Sequence, residues 1–351
     1  MNLSKNEIRE LPTILDVMDI LAARENIRKN ANPTNLHPWK AFEIGYYIPV
    51  SMGAGSATIR YIPSGPCYAT FYRGQNCHFD KCIPSFYRID SLEKMIVARL
   101  LVHEFQLLVL SHPIINELIC RTVSVNLEAL AQHYGFATNM MDVSNDKWTA
   151  AFFACTKCDK GNYSPVDENY GDGFGVIYVS TPDPQLGESD LETLLFRTDS
   201  IGFHFFPRPT SQSAYGFLMN KGENFDKNPF FEKILFRHDK KASQWVFETS
   251  YRQKKYFPYD SLTDVANRIL QNKRVSQNAL ERFCSYECKC LSKNDVISIC
   301  RKEGVQITAE TDYKFPEDDL RKDLEQWYAF GRKEFLSRIV SVPMIAHAPV
   351  E

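Results

Sequence analysis

The sequence predicts an α+β fold: a split, mostly antiparallel sheet with surrounding helices and helical N- and C-terminal extensions. Three observations carry this. Five short runs have strand character, at Cys67–Arg73, Asn139–Val143, Phe174–Ser180, Tyr215–Met219 and Lys233–Phe236. Between them lie segments whose apolar residues recur at helical spacing, the strongest from Ser91 to Leu110. The chain of 351 residues, 44% hydrophobic and 24% charged, is long enough for a sizeable core and ordinary in composition for a globular protein. The strands fall within residues 65–270, so 1–64 and 271–351 read as accessory extensions.

Each element has a local cause. Ile14, Met18, Leu21 and Ala22 repeat at helical spacing within residues 1–40, and Asn32-Pro33-Thr34-Asn35 ends that segment. Residues 41–62 alternate through Phe42, Ile44, Tyr46 and Ile48 until Gly53 and Gly55 interrupt them, and Cys67–Arg73 is an aromatic-rich strand. Leu92, Met95, Ile96, Leu100 and Leu101 give the Ser91–Leu110 helix its apolar face, with Ser91 at its start. A second helix is expected over Thr122–His133, capped by Gly135. Asn139–Val143 reads as a buried strand and Trp148–Cys155 as a helix capped by Asn145 or Asp146. Phe174–Ser180 is the clearest strand, stopped by Pro182 and Pro184. Residues 181–209 are rich in loops, with a helical run at Leu191–Phe196. Leu262–Leu270 and the charged tail from Gln277 are helical, and Ala346–Glu351 carries no core pattern.

Composition narrows the function. A net charge of −2 gives no basic excess to drive general binding to a polyanion, although a local basic patch stays open. The polar start, Met1–Glu10, lacks the apolar run of a secretory signal. The longest apolar stretch, Met95–Leu110, is interrupted by Arg99, His103, Glu104 and Gln106 and is too short and charged to span a bilayer. A cytoplasmic protein without a membrane partner is the expectation, and its ten cysteines are then reduced thiols. Cys155 and Cys158 read as a helix end with a buried thiol. Cys284, Cys288, Cys290 and Cys300 offer either four thiolates to zinc or, for the first two, one helix face. No metal is expected.

Four segments carry residues suited to chemistry. Phe71-Tyr72-Arg73-Gly74-Gln75 delivers an arginine at a strand end, where its planar fork grips either a phosphate or a structural carboxylate. Gln132-His133-Tyr134-Gly135 ends a helix on a histidine and an aromatic ring, either ligand contacts or core residues. Asp142-Val143-Ser144 leaves a strand for a helix N-terminus, where Asp142 either meets a ligand or fixes the turn. Further on, Arg208 and Gln212 precede a strand, with Gln212 suited to bonding either a sugar hydroxyl or the strand edge.

Taken in order, these segments resemble the FRG domain, which takes its name from a Phe/Tyr-Arg-Gly motif. The resemblance rests on Phe71–Gln75 with Pro84, Ser85 and Arg88, on Gln132–Gly135 with Thr138, Asp142 and Ala151–Ala154, and on Arg208, Gln212, Gly216 and Phe217. Tyr256-Phe257-Pro258-Tyr259-Asp260 is similar to the segment that closes the domain, and the likeness covers roughly residues 65–270. Asn139 stands where that family commonly has arginine, and Val143 and Ser144 stand where it has tryptophan and threonine.

The resemblance implies a bacterial or phage-related defence protein and, by the order of its motifs, an NAD-dependent ADP-ribosyltransferase-like enzyme acting on a macromolecular acceptor. It assigns catalytic positions to Arg73, His133 and Gln212. It assigns binding of NAD or a related nucleotide to Arg73, Gly74, Gln75, His133, Tyr134, Asp142, Ser144 and Arg208. Arg73 would hold the pyrophosphate, with His133 and Tyr134 at a ribose. Gln212 is neutral where such a reaction wants a carboxylate, so either Asp142 or Glu223 supplies the acid or the site binds without cleaving. The competing readings are a non-catalytic sensor of nucleotide or nucleic acid, and an interaction protein in which these motifs only hold the fold.

Overall fold

The computed structural model describes residues 3–31, 47–51, 59–63, 70–180, 197–201, 206–288 and 290–339. The expected helical run at Leu191–Phe196, the strand residues Phe42, Ile44 and Tyr46, the start of the Cys67–Arg73 strand and the tail Ala346–Glu351 lie outside them. The chain begins with α1 (Lys5–Glu10), α2 (Ile14–Ala31), β1 (Tyr47–Ser51), β2 (Ile59–Pro63) and β3 (Phe71–Gln75). Then come α3 (Leu92–Ser111), α4 (Pro113–Cys120), α5 (Leu127–His133), β4 (Met140–Ser144), α6 (Lys147–Cys155), β5 (Thr156–Asp159), β6 (Asn162–Pro165) and β7 (Phe174–Ser180). β8 (Thr198–Ser200), α7 (Pro207–Ser211), β9 (Ala214–Leu218), β10 (Glu232–Arg237), α8 (Lys240–Thr249) and α9 (Ser261–Asn272) follow. The last elements are β11 (Arg274–Ser276), α10 (Gln277–Tyr286), α11 (Lys293–Lys302), β12 (Gln306–Thr308), α12 (Glu317–Gln326) and α13 (Arg332–Ser337).

The fold is α+β. Its main sheet has six strands in the order β10-β7-β3-β4-β9-β8, and the described pairs are antiparallel. β7 is buried along its whole length, as its unbroken apolar run requires of an interior strand. Side chains alternate between two cores. Ile177 and Val179 join Tyr72, Phe152 and the helix residues Val17 and Val246 on one face, while Val176 and Tyr178 join Phe71, Val143 and Phe217 on the other.

The sheet is weakest where it matters most. β4 pairs with β9 over five residues, but β3 meets β4 through one pair, Tyr72 with Ser144. Beyond that pair the strands part, and the Arg73 side chain fills the gap: its Nη1 donates to the Asp142 carbonyl at 2.6 Å. An unpaired strand carbonyl is thus satisfied by a side chain.

Expected helix ends are present. Ser91 caps α3 by accepting from the Lys94 amide, and Asp146 caps α6 by accepting from Trp148 and Thr149. Gly135, with φ +89°, closes α5: its amide bonds the Gln132 carbonyl and the Phe136 amide bonds that of Ala131. The second helix is shorter than its pattern suggested. It begins at Leu127 behind the Asn126 cap, and α4, led by Pro113, was not foreseen. Along α3 every described turn packs inward, and the helices α9, α10 and α11 share its hydrophobic cluster with α5. Among the described residues no single helix is long and apolar enough to cross a membrane.

Polar groups fasten α5 into this cluster. Arg99 binds Glu128 of α5 and also donates to Glu287, at 2.8 and 2.6 Å, while His103 lies 2.9 Å from Glu287. Burial pushes the Glu287 carboxyl up, but hydrogen bonds from Arg99 and His103 and the Arg99 charge outweigh it and hold it at about 2. A carboxyl lowered on folding stabilises above its unfolded value, and that stabilisation is lost as pH falls through the folded one. Glu287→Gln is therefore expected to cost on the order of 2 kcal/mol at pH 7. Urea unfolding should show the gap to the parent closing between pH 4.5 and about 2; a gap independent of pH refutes this role.

Candidate functional site

The split between β3 and β4 opens into a cleft of about 550 Å³. One lip is Arg73–Asn76, the other Asp142–Ser144. The end of α5, the body of α6 and the α7–β9 corner complete its walls. Arg73, His133 and Gln212, far apart in sequence, line this one cleft together with Gly74, Gln75, Asp142, Ser144 and Arg208.

Gly74 explains how the lip approaches the helix. A Cβ at this position would lie 1.8 Å from the Ala150 carbonyl oxygen and 3.0 Å from the Ala154 Cβ. The glycine after Arg73 is a contact surface for α6, whose small residues Ala150, Ala151 and Ala154 are buried. Behind the other lip, Ser144 Oγ donates to the Gln212 carbonyl at 2.8 Å and accepts from the Asp146 amide at 3.0 Å. Ser144 is therefore a brace between β4, the α6 cap and the α7–β9 corner.

Two arginines serve the cleft differently. Arg73 has its Nη1 on the Asp142 carbonyl, leaving a buried Nε without an acceptor. Arg208 lies between two rings, 5.3 Å from the centre of Tyr134 and 5.1 Å from that of Phe257, and its Nε also lacks an acceptor. Phe257 stacks in turn on Tyr163 at 4.9 Å and meets Phe153 edge-on at 6.2 Å, making an aromatic wall beside the guanidinium.

Asp142 is the one carboxylate on the cleft among the described residues. It keeps accessible surface there, yet protein encloses it otherwise. Burial pushes its carboxyl above the usual range, against the charge of Arg73, a 3.2 Å hydrogen bond from Gln132 Nε2 and the charge of Arg208. Gln132 is itself oriented by Thr138, whose hydroxyl donates to its Oε1 at 2.5 Å.

Three expected residues stand otherwise than their motif suggested. Tyr134 is not on the cleft: its ring underlies Arg208 and its hydroxyl donates to Asp260, so it touches the site only through Arg208. Gln212 is buried, and its amide donates to the Tyr256 carbonyl at 2.8 Å, tying the α7–β9 corner to the segment that carries Phe257. Glu223 is remote from the cleft; Arg197 and the Asn220 turn take both its oxygens. Asp260 joins this framework as the α9 cap, accepting from the Leu262 amide at 2.9 Å and the Arg208 amide at 3.4 Å. The aromatic wall of Phe153, Tyr163 and Phe257 was not foreseen as part of a site, because nothing in the sequence distinguishes such apolar rings from core residues. No three His, Cys, Asp or Glu side chains among the described residues are placed to hold a metal ion. Cys155 is a buried thiol at the α6 end, pushed up to about 12 by burial.

An α+β protein whose antiparallel sheet is parted by an arginine, with a polar and aromatic cleft in the gap, is the class that fold and site define. Residues 68–162 match the FRG domain family, so an FRG domain is present over that stretch. The matched stretch contains Arg73, His133 and Asp142, while Arg208, Gln212 and Phe257 lie beyond it. No curated protein and no solved structure gives a significant match.

Proposed function

We propose that the cleft binds a nucleotide of the NAD class and that the protein is an ADP-ribosyltransferase-like enzyme. The carrying observation is Asp142: a reachable carboxylate between the charges of Arg73 and Arg208, in a cleft with an aromatic wall. A volume of about 550 Å³ suits a small-molecule ligand. Arg73 and Arg208 offer unused N–H donors to the pyrophosphate, and His133 faces the same space as a ribose partner. Cleavage of the nicotinamide bond develops positive charge on the ribose, and a nearby carboxylate stabilises that charge. Asp142 takes this part, which the neutral and tethered Gln212 does not. The setting implied by the family, defence against phage in a bacterial cell, and a macromolecular acceptor belong to the same proposal.

Incubation with NAD labelled in its adenosine half, together with cell extract, is expected to give a labelled acceptor. Binding without any turnover sinks the transferase reading and leaves a nucleotide sensor, a reading favoured by the engagement of Gln212 with Tyr256. Arg73→Ala should lower NAD affinity at least tenfold in calorimetry. Losing its bond to the Asp142 carbonyl should cost only about 1–2 kcal/mol of stability. Unchanged affinity in a folded variant removes Arg73 from the site.

A further inference from the structure

Past Arg73 and Asp142 the cleft continues into an annex of about 210 Å³. Lys81 and Arg88 stand on its rim, both exposed, and neither side chain is bonded to a described residue. Ser85 Oγ on its wall is buried and has no hydrogen-bond partner, and the same holds for Arg73 Nε and Gln75 Oε1. Gln75 is 8% exposed, and its Nε2 lies 3.1 Å from the Cys82 sulfur. A half-turn of that amide lets Oε1 accept from the thiol and presents Nε2 to the annex as a donor.

The backbone beneath these groups is fixed. Cys82 donates its amide to Asn224 Oδ1 at 3.0 Å and accepts from the Phe225 amide at 2.8 Å, and Asn224 Nδ2 donates to the Asp80 carbonyl at 2.7 Å. The Phe86 amide bonds the Thr138 carbonyl, and the Tyr87 hydroxyl bonds that of Met219 at 3.1 Å. Three cations, a buried hydroxyl and an amide thus converge on one space from a stitched frame. The annex holds one carboxylate among the described residues, Asp142, already faced by Gln132 and Arg73. Buried donors left unpaired are costly, and like charges held together repel, so the arrangement is matched by an anion with several acceptor oxygens.

We propose that the annex is a subsite for a phosphate monoester. A monoester carries three acceptor oxygens and close to two negative charges at neutral pH, whereas each phosphate of a pyrophosphate bridge carries one. The group arrives either on the nucleotide itself, as a 2′-phosphate, or free beside it. The first arm rests on the nucleotide reading above; the phosphate is also tested without it.

Calorimetry with inorganic phosphate, NAD and NADP on the parent, Lys81→Ala and Arg88→Ala decides the matter. Inorganic phosphate is expected to bind the parent at least about tenfold more tightly than either variant, and more weakly as the pH falls and its second negative charge is lost. NADP outcompeting NAD by about tenfold, with the advantage lost in both variants and NAD affinity unchanged, places the monoester on the nucleotide. Phosphate binding alongside NAD, with no advantage for NADP, supports a free or second-substrate phosphate. Should neither dinucleotide bind while phosphate binding still depends on Lys81 and Arg88, the nucleotide reading fails and the annex stands. Phosphate binding equal in all three proteins, or absent, overturns the annex.

Discussion

Gly74→Ala is expected to disable this protein through its fold, before any chemistry is reached. The added Cβ falls 1.8 Å from the Ala150 carbonyl oxygen and 2.7 Å from the carbonyl carbon. Both atoms are helix backbone, so no rotamer change relieves the clash, and α6 must move as a body. Overpacking of a core costs typically about 1–3 kcal/mol, and a backbone collision belongs at or above the upper end. Displacement would carry Thr149, Ala150 and Phe153 away from the cleft wall and strain the braces running from Asp146 through Ser144 to Gln212. Urea unfolding should give a loss of about 3 kcal/mol or more, accompanied by lost ligand binding. An alanine variant as stable as the parent would show that α6 does not rest on this glycine.

That contact also marks what the sequence could and could not convey. The strand-helix-strand pieces of the centre follow from local signals: the apolar run of Phe174–Ser180, the caps at Ser91 and Asp146, and Gly135 after α5. A glycine beside Arg73 permits a close approach of backbone, but does not say to what. Its partner, Ala150, lies on an element distant in the chain, and only packing reveals that helix rather than ligand occupies the space. Side-chain roles were harder, because each is set by such nonlocal partners. Tyr134 and Gln212 carry the right groups for ligand contact, yet Asp260 and Tyr256, each from a segment beyond residue 250, claim them. The same late segment supplies Phe257, whose ring is apolar enough to pass as core until Arg208 is seen against it. Reach likewise separates Asp142 from Glu223, because bonds to Arg197 and Asn220 hold Glu223 away from the cleft.

Asp142→Asn should separate catalysis from both binding and folding. Asparagine keeps the shape of the side chain and can still accept the hydrogen bond that Gln132 Nε2 makes at 3.2 Å. What it removes is a negative charge. Because burial raises the Asp142 carboxyl on folding, the folded state takes up its proton more readily than the unfolded chain does. The ionised form therefore burdens the fold above the raised value, and the burden is relieved as pH falls through that value towards the unfolded one. The neutral variant should accordingly be no less stable than the parent at pH 7, and the difference should vanish in acid. An anionic nucleotide loses a repulsive neighbour, so its affinity should hold or improve. Turnover should nevertheless fall by about 10²-fold or more, the scale of losing one positioned electrostatic or acid-base group. In the parent, activity should decline in acid from a pH above the ordinary aspartate range, and this limb should be missing from the residual activity of the variant. Stability curves, calorimetry and labelled-NAD turnover on the same two proteins read all these effects. A stable, tight-binding Asp142→Asn protein with full turnover would take the charge out of the chemistry, while one that unfolds would make Asp142 a structural residue of the split.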